Sequence, residues 1–235
     1  MTSDISENSK HIKRVAYELG ADIVGFADTS KLRGIFTHPV DLLDRFPYAI
    51  SIGVHLDRWS DYNAATEDRF AIPLLERIAR EVKRTVESRG YAAKVVLPDK
   101  KVSHNSPLYW NGEISHKAVA KAAGLGWIGK STLLVSPNLG PRLFLVTVLT
   151  DMPLSAGRPM RNQCRSCKLC ILACPRGALK EARFADHPER INLSIDVKAC
   201  GALVNRTWRD GSMCYECMLV CPKGRSKGKR KKSKE

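Results

Sequence analysis

Cysteine is missing from the first 163 residues of this 235-residue chain. No run approaches the 18 or so uninterrupted apolar residues that a membrane-crossing helix needs. The opening MTSDISENSK lacks the basic and apolar regions of a secretory signal, so no membrane association and a cytoplasmic location are expected. Six histidines, at 11, 38, 55, 104, 116 and 187, show no paired metal spacing, which argues against a histidine metal site. No Walker sequence occurs, and the G-x-G-x-x-G spacing of Gly124, Gly126 and Gly129 follows an expected helix rather than a strand, so neither nucleotide fingerprint is complete.

The composition is that of an ordinary globular protein, 43% hydrophobic and 27% charged. Its length suits one large domain, or a medium domain with a small one attached. The net charge of +15 is unevenly spread: KGRSKGKRKKSKE (223–235) has eight Lys/Arg and one Glu, so +7 lies there and +8 in the rest. With no apolar residue to bury, this tail is expected to be disordered. It reads either as an electrostatic arm for RNA, DNA or an acidic protein, or as a solubilising segment.

Residues 8–19 carry Ile12, Val15, Ala16 and Leu19 on one helical face, and Gly20 stops the helix. Strands are expected at 22–28, 48–54, 91–97, 131–135 and 142–150. A longer helix, about 66–89, is striped by Leu74, Leu75, Ile78, Val82 and Val86, with Pro73 marking a start or bend. A short helix over 115–123 runs into AGLGWIGK. Such alternation predicts an α/β (α+β sandwich) N-terminal domain over 1–155. DMPLSAGRPMRN (151–162) reads as a linker. A cysteine module follows over 156–222, then the tail.

All eight cysteines lie between 164 and 221. The first group reads Cys164-x2-Cys167-x2-Cys170-x3-Cys174-Pro175. The second has Cys200 alone, then Cys214-x2-Cys217-x3-Cys221-Pro222. The first matches the C-x2-C-x2-C-x3-C-P run of two-cluster ferredoxins, in which three thiolates wrap one cubane and the fourth serves the other cluster. Crossed ligation then assigns Cys164, Cys167, Cys170 and Cys221 to one [4Fe–4S] cluster. Cys174, Cys200, Cys214 and Cys217 go to the second. The gap between Cys200 and Cys214 is wider than in a symmetric ferredoxin and reads as an inserted loop. A pair of zinc sites is the competing assignment, but the repeated Cys-Pro ending suits cubanes better. With every iron liganded by cysteine, such clusters relay electrons and offer substrate no open position.

In AGLGWIGK, Gly124, Gly126 and Gly129 permit positive φ or a close backbone approach, either as a helix cap and turn or against a bound group. Together with LGADIVGFAD (19–28), FPYAISIGV (46–54), AKAAGLGWIGKSTLLV (120–135), FLVTVLTDMPL (144–154) and both cysteine runs, this stretch resembles the epoxyqueuosine reductase family of cobalamin-dependent iron–sulfur enzymes. The likeness covers most of the chain.

The resemblance implies an N-terminal domain holding a base-off cobalamin, with the dicluster module packed over it. Gly124, Leu125, Gly126, Trp127, Ile128, Gly129 and Lys130 would line the corrin site, and an external flavodoxin- or ferredoxin-type donor would supply electrons. Trp127 and Trp208 could flank the corrin or a cluster, or simply pack. Two features depart from the family. Its catalytic aspartate aligns with Trp110, leaving Glu113 and His116 as nearby proton donors, each equally a residue of a helix start. The family's helical-repeat domain also has no counterpart here. The expected function is a corrinoid-linked iron–sulfur reductase of unidentified substrate. The alternatives are a non-catalytic electron carrier or reductive activator, and an RNA-binding role led by the tail.

Overall fold

A computed structural model describes residues 2–56, 70–98, 112–181, 194–209 and 214–224. Trp110, the side chain of Trp208 and residues 225–235 of the basic tail lie outside the described residues.

Four strands form an antiparallel sheet: β1 (Ile23–Asp28), β2 (Tyr48–His55), β3 (Ala93–Val96) and β6 (Leu143–Thr150), ordered β1-β2-β6-β3. Register pairs Ile23 with Gly53, Ile52 with Val146, and Val95 with Val148. Between them in sequence, β4 (Trp127–Ile128) and β5 (Leu134–Val135) form a separate ribbon.

Because side chains alternate along a strand, the sheet buries two different faces. Val24, Phe26, Ile50, Ile52, Val54, Val146 and Val148 share a core with helices α1 (Thr2–Glu18) and α2 (Ile72–Glu87). Those helices contribute Ile12, Ala16, Leu75, Ile78, Val82 and Val86, all fully buried. Pro73 sits in the first turn of α2, where its missing N–H costs no helical bond. Gly90, at φ +83°, ends that helix.

The opposite face carries small residues, Gly25, Ala27, Ala49, Ser51 and Gly53. Against it packs α3 (His116–Ala122), itself rich in alanine. A Cβ added at Gly25 would lie 2.6 Å from Leu125 Cδ2, so the glycine permits the close approach of the segment following α3. Ser115 caps α3, its hydroxyl accepting from the Ala118 N–H. Gly124, at φ +75°, closes it. Helices therefore cover both faces of an antiparallel sheet, refining the expected α/β class.

Residues 151–162 run as a packed strap rather than a loose linker. Met152 and Leu154 are buried, the Gly157 N–H donates to Phe26 O at 2.7 Å, and the Ser155 N–H donates to Ser9 Oγ. The cysteine-bearing part holds α4 (Leu169–Leu172), α5 (Val197–Arg209) and α6 (Glu216–Leu219). It has a small core of Ala178, Leu179 and Ile195, and Leu179 bridges Ile195. Met218 of α6 joins the main core beside α1 and α2. Among the described residues, no helix is long and apolar enough to cross a membrane.

Candidate metal centre

The ribbon β4–β5 and the turn between its strands form the platform under the cysteines. The Gly129 N–H donates to Leu133 O, and the Thr132 N–H to Gly129 O. Thr132 is held at φ +62°, unusual for a β-branched residue. Its carbonyl accepts from Lys117 Nζ at 2.9 Å, which pins the turn to α3.

The glycines of the stretch are filled by the protein itself. A Cβ at Gly126 would meet Val135 O at 2.2 Å, and one at Gly124 would meet Arg158 O at 2.7 Å. At Gly129 it would meet Val135 Cγ2 at 2.7 Å and Cys164 Sγ at 3.4 Å. At all three, the protein fills the space a Cβ would take, which lets β4, β5, the strap and the first cysteine pack closely. Leu125, Trp127 and Ile128 are buried, and Lys130 is half-buried. Trp127 is 1% exposed, yet among the described residues its indole N–H has no acceptor, a gap that a bound group would fill. The Lys223 ammonium stands 5.7 Å from that ring's centroid.

From this platform the first cysteine loop is anchored. Asn162 Nδ2 donates to Ile128 O at 2.8 Å, and its Oδ1 accepts from the Cys164 N–H. Lys130 Nζ donates to the carbonyls of Arg165 and Cys167, at 2.8 and 2.9 Å. Beyond the cysteines the chain returns to the same surface. Arg142 Nη2 donates to Lys223 O at 3.3 Å, and a Cβ at Gly140 would lie 2.1 Å from that oxygen.

All eight cysteines are free thiols. Burial pushes the Cys170 thiol up, and the charges of Cys164, Cys167 and Cys221 push it further. Cys221 is likewise raised by burial and then by Cys164 and Cys167, against the opposing pull of the Lys223 N–H and Arg142. Cys200 is raised by burial and by Cys174 and Cys214. Cys217 is pushed up to about 12 by burial and then by Cys200, Cys214, Cys170 and Cys174. The Ala178 N–H donates to Cys174 Sγ. Among the described residues, no three His, Cys, Asp or Glu side chains converge closely enough to hold a single metal ion.

The two residues named as proton donors lie inside the fold. His116 Nε2 faces the Leu97 carbonyl at 3.4 Å, and Nδ1 meets Thr147 Oγ1 at 2.8 Å. A carbonyl only accepts, so Nε2 carries the proton and Nδ1 accepts from the threonine. Burial holds this imidazole down at about 4, against the opposing Leu97 bond, and both nitrogens are occupied. Glu113 is 6% exposed, and its Oε1 pairs with Lys94 Nζ at 3.3 Å.

Sequence reasoning missed Lys117, Arg142, Asn162 and Lys223. Burial holds the Lys117 ammonium below its ordinary range, while Cys217 and Cys200 act to raise it. A lysine within the apolar stretch of α3 was its only signal; Arg142 and Lys223 act through contacts distant in sequence.

No family model matches the chain. The epoxyqueuosine reductase of Leadbetterella byssophila is 32% identical over 191 residues, covering 79% of this chain and 55% of that protein. Two solved structures share the fold. One is a catabolic reductive dehalogenase in complex with 3-bromo-4-hydroxybenzoic acid, with TM-score 0.75 and 24% identity, matched over 95% of this chain and 33% of its own. The other is an epoxyqueuosine reductase with an epoxyqueuosine-modified tRNA-Tyr stem loop, with TM-score 0.65 and 20% identity, matched over 93% of this chain and 65% of its own. The chain spans about a third to about half the length of the curated relatives it matches. In sequence and in fold, it is a partial-length relative of the epoxyqueuosine reductases.

Proposed function

We propose that the chain is an iron–sulfur oxidoreductase of the epoxyqueuosine reductase type. In this reading two [4Fe–4S] clusters relay electrons toward a corrinoid for the reduction of a substrate whose identity stays open. What supports it is the proximity of thiols distant in sequence, in the sense that crossed ligation requires. Cys221 acts on Cys170 and is itself acted on by Cys164 and Cys167, while Cys174 acts on Cys200 and Cys217. Four thiolates around each cubane satisfy its irons, so the chemistry such a cluster supplies is one-electron transfer rather than substrate binding. A cubane is also broader than one ion, so its thiolates stand further apart than the ligands of a single zinc.

The chain's own residues support the relay in several ways. Small side chains bring α3 onto the sheet, the glycine turn brings Gly129 against Cys164, and Cys170 acts on Cys217. The corrinoid is carried by the resemblance together with the Trp127 N–H, which has no acceptor among the described residues. Neither Glu113 nor His116 presents a free proton donor at an open surface, which leaves the proton source outside this pair.

Anaerobic reconstitution tests the reading. We expect about eight iron and eight acid-labile sulfide per chain, for two cubanes; stoichiometric zinc without iron overturns it. Addition of cob(II)alamin is expected to give a base-off spectrum. An unchanged cobalamin spectrum beside full iron loading would favour a non-catalytic carrier or reductive activator.

A further inference from the structure

We infer that Lys130 and Arg142 are positioning residues for the first cluster, two cations of the α/β layers that hold the distant halves of its ligand set against one frame. This rests on reading Cys164, Cys167, Cys170 and Cys221 as the ligands of one cubane.

Cys164 and Cys167 sit at the ends of a tight turn, closed by the Cys167 N–H donating to Cys164 O at 2.9 Å, with Arg165 at φ +44° inside it. Lys130 Nζ inserts into that turn and takes two of its carbonyls, those of Arg165 and Cys167. The fourth ligand arrives from far along the chain, and the residues just beyond it are fixed in the same way. Arg142 is 4% exposed and donates to Lys223 O, two residues past Cys221. Gly140 and Gly224, at φ +64° and +72°, let the two backbones cross: a Cβ at Gly224 would lie 2.1 Å from the Leu139 carbonyl carbon.

Both cations stand on rigid structure. Lys130 follows β4, and Arg142 immediately precedes β6, an inner strand of the sheet. The geometry has two consequences. The α/β layers fix the spacing between the turn and Cys221, which four thiolates must match for a cubane to fit. They also set two positive charges beside a site that four thiolates make net anionic, and such charges favour the reduced, more negative form. Lys130, which the resemblance places along a corrin, gives two of its three N–H donors to the cluster loop.

The test uses the full chain, reconstituted anaerobically, with Lys130→Met and Arg142→Met and their conservative counterparts Lys130→Arg and Arg142→Lys. The readouts are iron content, the EPR signals of the two reduced clusters and the midpoint potential of each. Lys130→Met is expected either to lose about half of the iron or to disfavour reduction of one cluster about tenfold, about 59 mV lower for a one-electron couple. The other cluster's signal should stay unchanged, and Lys130→Arg should restore the first. Arg142→Met should act on the same cluster. Because Arg142 is buried and its removal risks the fold, Lys130→Met, checked by far-UV circular dichroism, decides. Full loading with both potentials as in the parent chain overturns the inference. A parent chain that takes up no iron indicts the two-cluster reading itself.

Discussion

At the scale of single residues, burial decides what the ionisable groups near the site can do. His116 is neutral because its ring is enclosed and its nitrogens are spoken for by Thr147 and Leu97. A histidine with a folded value near 4, against 6.5 when unfolded, contributes stability above pH 6.5 that is lost as pH falls through 4. The ceiling is about 3 kcal/mol. His116→Gln is expected to flatten that part of the acid limb, read from urea unfolding midpoints between pH 7 and 4.

Lys117 is the other enclosed group, bonded to Thr132 O and facing Cys200 and Cys217. Removing its charge with Lys117→Met should make reduction harder at the second cluster and leave the first unchanged. Potentiometric EPR of the two signals checks this, and a shift confined to the first cluster would contradict it. Neither role was legible beforehand. The stretch HKAVAKA shows an amphipathic helix, but which of its polar residues turns inward depends on the sheet beneath it.

At the scale of elements, the tight joints are made by glycines whose space belongs to a neighbouring backbone. Gly126→Ala would drive a methyl to 2.2 Å from Val135 O, between β4 and β5, where neither strand can yield cheaply. It should cost about 3 kcal/mol or more and loosen the platform under Cys164. Gly90 offers the contrast, because a Cβ there meets nothing within 4 Å and only its φ of +83° is strained. Gly90→Ala should cost about 1–2 kcal/mol and leave cluster loading untouched. Thermal melts and iron content of the two variants separate these outcomes.

The helices and strands themselves follow local rules that the sequence displays openly. The apolar stripe of α2, the strands β1, β2 and β6, and the stops at Gly20 and Gly90 all appear where the sequence pattern puts them, and the helix start expected at 66–69 lies outside the described residues. Three details escaped that pattern, the first being that α1 begins at Thr2, six residues before its expected start. The stretch 131–135 forms only the two-residue β5, since Thr132 is held in a turn rather than extended. The supposed linker also became a strap, because Met152 and Leu154 had buried positions waiting for them.

At the scale of the whole molecule, the α/β layers and the cysteine-bearing part share one core. Met218 packs with α1 and α2, Tyr215 lies against the same cluster, and the strap binds both α1 and β1. The molecule should therefore unfold in one step, with cluster absorbance and far-UV circular dichroism lost together. Two separated transitions would show the parts to be independent. Met218→Ala should lower stability by about 2–5 kcal/mol and shift both signals equally.

By itself, the sequence determined the number and grouping of the cysteines, the helices and strands, and the resemblance that names a family. Each of these is written in spacings of a few residues, where helix pitch, strand pleat and turn geometry act directly. Only the tertiary structure decided the sheet order, the filling of Gly124, Gly126 and Gly129 by the protein's own chain, and the seating of Lys117, Lys130 and Arg142 among the thiols. Those contacts join residues that lie far apart along the chain, so they exist only once the layers have packed.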